Sequence, residues 1–251
     1  MDGAVVRRGD TGVSNAARVT LGAPPAVFPP ALRLVHEDDD LLVIDKPPGL
    51  LTIATERERA RTAYRMLADY VAAQRPHARP RSTPARLFVV HRLDRETSGL
   101  LVFAKSGAVK GALQAQFRAR AVERVYVAVV QGRVRGDAGT LRGRVVEDER
   151  SLRVRASPRG PGREAVTRWR VLERRARCTV LELALQTGRR GQIRAQLAAL
   201  GHPIVGDADF GAATDPVRRV CLHATRLGFR GAGGRPMRFE SPVPAAFDRL
   251  E

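Results

Sequence analysis

The sequence predicts an α+β domain built on a large, mixed but mainly antiparallel sheet with a few flanking helices. In the central part of the chain, the character of the side chains alternates from one residue to the next, at 125–129, 167–171 and 181–185. This spacing is typical of strands whose two faces have different surroundings. Segments with helical spacing are few and scattered among the strands, which favours α+β over a helical bundle or a regular α/β alternation.

The first predicted elements are a hairpin and a helix. Two strand-like segments, 32–36 and 41–45, flank an acidic turn at 37–40 and therefore predict a β-hairpin. Apolar residues then recur at i, i+3, i+4, i+7 and i+8 from Ala63 to Val71. That pattern predicts an amphipathic helix, which Pro76 ends.

Two further helices are predicted downstream. Val109, Leu113 and Phe117 share one face of a helical repeat. The segment 192–200 predicts the other helix, which stops at Gly201. Residues 1–30 lack periodicity and are rich in glycine, proline and small residues, so we expect a flexible leader there and one folded domain over 31–251.

Composition excludes general disorder and points to a polyanionic partner. With 43% hydrophobic residues the chain can bury a core. Its formal net charge is +18, from 44 basic and 26 acidic residues. Such an excess predicts attraction to nucleic acid, while a merely solvated charged surface is the alternative.

Other sequence features restrict the compartment and the chemistry. Cys178 and Cys221 have no paired spacing and no neighbouring histidine cluster, so we expect free thiols in a cytoplasmic protein. We find neither a signal peptide nor an apolar run long enough to span a membrane. Glycine-rich phosphate loops and metal-ligand spacings are also missing, so we expect no cofactor and no metal.

The most informative segment is a polar loop that carries Asp94. It lies between two apolar runs, 87–90 and 100–104, whose strand-like character would fix the position of the carboxylate. Arg92 and Arg95 flank Asp94. Three residues with turn propensity complete the loop: Thr97, Ser98 and Gly99. The sequence therefore predicts that the loop holds the Asp94 carboxylate in a fixed position as a functional side chain.

The string from His91 to Gly99, His-Arg-Leu-Asp-Arg-Glu-Thr-Ser-Gly, resembles the signature of the RluA family of pseudouridine synthases. Three more segments resemble motifs of that family in the same order: 43–50, 124–128 and 187–194. The resemblance implies a single catalytic domain with a central cleft, here expected to be basic. It also implies isomerisation of uridine to pseudouridine in ribosomal or transfer RNA, without cofactor, metal or energy source.

The resemblance assigns three catalytic residues. Asp94 would be the catalytic aspartate, and Arg194 would supply the cation that keeps this carboxylate ionised away from water. Tyr126 would stack on the target base and assist proton transfer, although the strand pattern alone indicates only a packed aromatic residue. Whether Asp94 attacks C6 of uracil, attacks C1′ of the ribose or helps to remove a 2′ proton stays open.

The same resemblance implies a base that is flipped out of its stack. Arg92 would fill the vacated space, or else form a surface ion pair with Asp94 or Glu96. His91 is more typical of a structural histidine than of an acid or base, and Lys46 is expected to shape the rim of the cleft. The expected RNA-binding set is Lys46, His91, Arg92, Arg95, Arg189 and Arg190.

The chain also departs from the family pattern. Gly191 and Gln196 stand where the family typically has two histidines, and Phe210 replaces a tyrosine. We expect a monomer without the separate N-terminal RNA-binding module of many relatives. A catalytically silent RNA-binding or RNA-chaperone protein is the alternative function, against which the retained Asp94 argues.

Overall fold

The computed structural model describes residues 26–56, 58–74, 86–148 and 154–250. Eleven strands are present in this part of the chain: β1 Arg33–Glu37, β2 Leu41–Lys46, β3 Phe88–Val89, β4 Ser98–Ala104, β5 Glu123–Gln131, β6 Ala138–Glu147, β7 Val154–Ser157, β8 Arg163–Arg174, β9 Cys178–Leu185, β10 Leu222–Arg230 and β11 Pro236–Glu240. The α-helices are α1 Ala63–Ala73, α2 Gly107–Arg118 and α3 Gln192–Ala199. Short 3-10 turns complete the described elements.

All eleven strands belong to one sheet, in the order β1-β2-β4-β10-β5-β9-β8-β6-β7, with β3 added to β4 and β11 added to β10. The pair β4–β10 is parallel. The other pairs are antiparallel. The prediction of a large, mixed and mainly antiparallel sheet with flanking helices is confirmed.

Most of the predicted elements form where the pattern places them. The first hairpin is β1–β2, and the three helical repeats form α1, α2 and α3. One detail was wrong: Ser98 and Gly99 belong to strand β4 and not to the turn, because both pair with β10. The predicted leader at 1–30 lies mostly outside the described residues.

Strand β4 is buried on both faces, which explains its continuous apolar sequence. Leu101 and Phe103 face one core cluster, which also contains Leu67 of α1. Leu100 and Val102 face a second cluster, which contains Leu113 of α2. The two helices therefore cover opposite faces of the sheet at the strand that follows the Asp94 loop.

Gly99 permits the parallel contact between β4 and β10. Its φ of 114° lies outside the range that residues with a side chain normally adopt. A Cβ at this position would lie 2.3 Å from the carbonyl oxygen of Ala224, which is backbone and cannot rotate away. Because Gly99 comes five residues after Asp94, this close approach fixes one end of the loop.

The structure bears on two further expectations from the sequence, the state of the thiols and the absence of an apolar membrane span. Cys178 and Cys221 are free and buried, so the prediction of free thiols is confirmed. Among the described helices, none is long and apolar enough to cross a membrane. The longest of the three α-helices, α2, has 12 residues.

We expect Gly99→Ala to destabilise the protein by about 3 kcal/mol, because strain from the positive φ adds to an overlap with backbone atoms. Gly111→Ala is the matched control. Gly111 lies in helix α2 with open space around its Cα, so alanine should raise the free energy of unfolding by about 0.5–1 kcal/mol. Urea unfolding of the two variants measures both effects, and equal stabilities would contradict the proposed constraint at Gly99.

Candidate active site

Two adjoining cavities open around Asp94. The inner pocket has a volume of about 240 Å³ and is lined by residues 91–94 and 188–194 together with Phe117, Arg124, Tyr126, Leu185 and Leu222. The outer groove is larger, about 940 Å³, and runs along α3 past Thr55, Arg95, Val154, Arg155, Asp209 and Phe210. Both cavities share Arg92, Asp94, Arg190, Gly191 and Arg194. Asp94 thus lies where the pocket meets the groove.

The loop that carries Asp94 is held by the segment that follows β2. The Thr52 hydroxyl donates to the carbonyl oxygen of Leu93 at 2.8 Å and accepts from the Leu93 N–H at 3.2 Å. The Gly49 N–H donates to the Arg95 carbonyl at 2.9 Å. These bonds clamp the backbone on both sides of Asp94.

Lys46 also holds this loop, from the interior of the protein. Its buried position corrects its predicted place in the RNA-binding set. The side chain is fully buried, and Nζ donates to the carbonyl oxygens of Pro47, Leu50 and Arg95 at 2.8, 2.8 and 3.1 Å. Burial lowers the pKa of Lys46 to about 7. Because the ammonium is enclosed by backbone carbonyls, Lys46 braces the loop and is not available to a phosphate.

The Asp94 carboxylate accepts a hydrogen bond from the start of helix α3. The Gly191 N–H donates to Asp94 Oδ2 at 3.2 Å, and Gly191 is the N-cap residue with a left-handed φ of 58°. A helix N-terminus favours a negative charge. A Cβ at Gly191 would touch Phe210 and Val154 at 3.4 Å. The glycine that departs from the family pattern therefore fits a tight, left-handed position beside the carboxylate.

Arg194 is bound to a different carboxylate from the one we expected. Its Nε and Nη2 atoms donate to the two carboxylate oxygens of Asp207 at 2.7 and 2.6 Å, and both side chains are buried. Burial opposes the charge of Arg194, but the hydrogen bonds and charge of Asp207, together with Asp94, raise its pKa. Among the described residues no ion pair within 4.0 Å joins Arg194 to Asp94. The predicted direct pair was wrong, although both residues line the inner pocket.

Tyr126 lies in the wall of the inner pocket on strand β5. Burial raises its pKa to about 12, with a further contribution from Asp94 and an opposing one from Arg124. The phenol is therefore protonated at physiological pH and can donate a hydrogen bond. Residues 125–130 are all buried, so the alternation within β5 does not separate a core face from a solvent face.

His91 lies against the aromatic ring of Phe117, with ring centroids 4.8 Å apart. Its Nε2 accepts from the Val102 N–H at 3.3 Å. Burial, and secondarily the charge of Arg124, lowers the pKa of His91 to about 3. The ring is neutral at physiological pH and supports the start of the loop.

Four expected RNA-binding arginines surround the cavities. Arg92 is exposed and lines both of them. Arg95 donates from Nε to the Gly49 carbonyl at 3.1 Å at the edge of the outer groove. Arg189 donates from Nε to the Glu164 carbonyl at 3.1 Å, and Arg190 pairs with Glu147. Arg92, Arg189 and Arg190 thus line the inner pocket, whereas Arg95 lines only the outer groove.

Sequence reasoning missed two residues of the site. Arg124 was quoted within a motif but given no role, although residues two apart on a strand share a face and Arg124 precedes Tyr126 by two. Asp207 received no role from the sequence, and only the fold shows that it binds Arg194. In the described part of the chain, no group of three or more His, Cys, Asp or Glu side chains is arranged to hold a metal ion.

The fold is that of RNA pseudouridylate synthase domains. The human protein RNA Pseudouridylate Synthase Domain Containing 1 superposes with a TM-score of 0.67 at 24% identity, covering 85% of this chain and 84% of that chain. The human protein RNA Pseudouridylate Synthase Domain Containing 4 gives 0.66 at 23% identity, covering 86% of this chain and 90% of that chain. At such identities the likeness shows the fold alone.

The family itself follows from sequence comparison. The RNA pseudouridylate synthase family matches residues 40–199. "Ribosomal large subunit pseudouridine synthase D" of Xanthomonas campestris is 36% identical over all of this chain and 79% of its own length. The RNA pseudouridine synthase YhcT of Bacillus subtilis is 35% identical over 78% of this chain, which spans 63% of that relative. The chain belongs to the RNA pseudouridylate synthase family, a family of isomerases.

Removing one partner of the Arg194–Asp207 pair should be strongly destabilising. We expect Arg194→Met to lower the free energy of unfolding by about 3–5 kcal/mol, because it leaves a buried carboxylate unpaired. Combining it with Asp207→Asn should cost less than the sum of the single changes, as contacting groups require. Combining it with Asp94→Asn should be close to additive. Chemical denaturation of the five variants tests this, and additivity with Asp207→Asn would contradict the pair.

Tyr126→Phe and Tyr126→Ala separate the ring from the hydroxyl. If the ring stacks on the base, phenylalanine keeps measurable turnover and alanine loses far more, since stacking is worth about 1–3 kcal/mol per base. Alanine also opens a cavity, so thermal melts must accompany the rates. Near-wild-type rates for both variants would place Tyr126 outside the functional site.

Proposed function

We propose that this protein isomerises uridine to pseudouridine in RNA, with Asp94 as the catalytic carboxylate. The observation that carries the proposal is the position of Asp94. It lies at the junction of an inner pocket large enough for one base and an outer groove bordered by arginines. A single carboxylate at such a junction meets the nucleotide where the flipped base leaves the RNA strand.

The remaining residues of the site support this assignment in distinct ways. Base flipping is needed because the glycosidic bond and C5 of a stacked uridine are out of reach. Tyr126 offers a neutral aromatic surface beside the flipped base. Arg194, held by Asp207, contributes positive potential near Asp94, and the Gly191 N–H fixes one carboxylate oxygen. The route by which Asp94 acts, at C6, at C1′ or on a 2′ proton, starts from this same carboxylate.

We propose ribosomal RNA as the substrate, with transfer RNA as the alternative. The relatives from Xanthomonas campestris and Neisseria meningitidis carry the name "Ribosomal large subunit pseudouridine synthase D", at 36% and 34% identity. The net charge of +18 favours a large polyanion. The bacterial relatives and the free thiols also support action in the cytoplasm. Mapping pseudouridines in RNA from cells with and without the protein identifies the target.

Tritium release tests the proposed reaction directly. Pseudouridine formation replaces the C5–H bond of uracil by a C5–C1′ bond, so RNA labelled with tritium at C5 loses its label to water. We expect the wild-type protein to release tritium from cellular RNA. Asp94→Asn should abolish release while keeping the fold and the RNA affinity, since the amide has nearly the same shape and lacks only the charge.

Asp69→Asn is the matched control. It also removes one carboxylate charge, but Asp69 is an exposed residue of helix α1, paired with Arg65, and lines neither cavity. We expect it to release tritium at the wild-type rate. Wild-type rates in Asp94→Asn would remove Asp94 from the mechanism. A wild-type protein that binds RNA without releasing tritium would indicate the silent RNA-binding function instead.

A further inference from the structure

Arg124 lines the inner pocket, and much of its hydrogen-bonding capacity is not used by the protein. Its Nη2 reaches the carbonyl oxygens of Leu185 and Gln186 only at 3.4 Å each. Its Nε is buried and has no partner among the described residues. A buried donor without a partner costs about 1–3 kcal/mol, so native proteins seldom keep one without a reason.

The surroundings of Arg124 hold the guanidinium beside the space for the base. The side chain lies over the Phe117 ring, 5.5 Å from its centroid, and emerges from β5 two residues before Tyr126. At Gly188 an added Cβ would lie 2.4 Å from Arg124 Nη1. The missing side chain of Gly188 therefore leaves the room that the guanidinium occupies.

Arg124 differs from the other cations of the inner pocket. Arg194 has its acceptor in Asp207, and Arg189 donates to the Glu164 carbonyl oxygen. Arg92 and Arg190 are exposed at the opening that the pocket shares with the groove, where the phosphates of a bound strand would lie. Arg124 is partly buried and lies beside Tyr126. Its free donors therefore point to an acceptor on the base.

We infer that Arg124 donates a hydrogen bond to a carbonyl oxygen of the flipped uracil and thereby contributes to the recognition of the base. This inference rests on the proposed function. Uracil offers two carbonyl acceptors, O2 and O4, and an arginine can only donate. If a base presents an amino group to Arg124 instead, two hydrogen-bond donors face each other and neither has an acceptor. A mismatch of this kind gives strong discrimination against that base.

The test uses synthetic RNA that carries the mapped target as uridine, 2-thiouridine or 4-thiouridine. Sulfur accepts hydrogen bonds more weakly than oxygen, so in the wild-type protein one of the two thio substitutions should lower kcat/KM by on the order of 10-fold. In Arg124→Gln the same substitution should cost less than about threefold, because the bond it weakens is already lost. If Arg124→Gln reduces the penalty of the 4-thio substitution, Arg124 binds O4, the oxygen that distinguishes uracil from cytosine.

Two further variants keep the test decisive. Gly188→Ala retains Arg124 but pushes its guanidinium aside, so it should also reduce the thio penalty, even if Arg124→Gln fails to fold. Arg175→Gln is the matched control, because Arg175 is a partly buried arginine that donates to the carbonyl oxygens of Phe247 and Leu250 at 2.6 and 2.8 Å and lines neither cavity. It should keep the full wild-type penalty whatever its melting temperature.

The outcomes separate the inference from the function on which it rests. If Arg124→Gln and Gly188→Ala slow all three RNAs by the same factor, Arg124 has only a structural role and the inference is overturned. If the wild-type protein forms no pseudouridine in the uridine RNA, the proposed function fails and the inference fails with it. Turnover of the uridine RNA with no thio penalty at either position would also overturn the role of Arg124.

Discussion

The buried ion pair between Arg194 and Asp207 is the interaction on which the site depends. Two charge-assisted hydrogen bonds of 2.7 and 2.6 Å join helix α3 to Asp207, the N-cap of the 3-10 turn Ala208–Phe210. This contact orients the first turn of α3. The N-cap residue of that helix, Gly191, donates a hydrogen bond to Asp94. The position of the Asp94 carboxylate, which we propose as the catalytic group, is thus coupled to an ion pair that does not include it.

The pair also sets the balance of charge in the inner pocket. Asp207 satisfies two donors of Arg194, so the positive charge is held in place without binding Asp94 directly. Phe210 adds an aromatic surface 4.6 Å from the guanidinium carbon of Arg194. The Asp94 carboxylate lines both cavities, and its Oδ2 accepts a hydrogen bond from the Gly191 N–H. A carboxylate that contacts a substrate needs oxygen atoms whose hydrogen-bonding capacity is not already used by the protein.

The loop of Asp94 is fixed from the opposite side by groups that carry no chemistry of their own. Lys46 and Thr52 bind backbone atoms of the loop, and Gly99 anchors its end against β10. Backbone contacts hold a loop in place whatever its side chains do. The side chains of Arg92 and Asp94 consequently line both cavities without being needed to hold the loop.

The sequence by itself determined the three helices, seven of the eleven described strands and the polar loop around Asp94, because periodicity and turn residues are local signals. Strands β6, β7, β10 and β11 were not predicted. The hairpin β1–β2, the three helices and the loop around Asp94 were all predictable from neighbouring residues. The tertiary structure decided which groups the charged side chains of the site bind. The family resemblance implied a pair of Arg194 with Asp94 and a place for Lys46 in the RNA-binding set. In the fold, Arg194 binds Asp207, and backbone carbonyl oxygens enclose the Lys46 ammonium. A charged side chain takes the partner that the packed backbone brings within about 3 Å, and only the complete sheet fixes those distances.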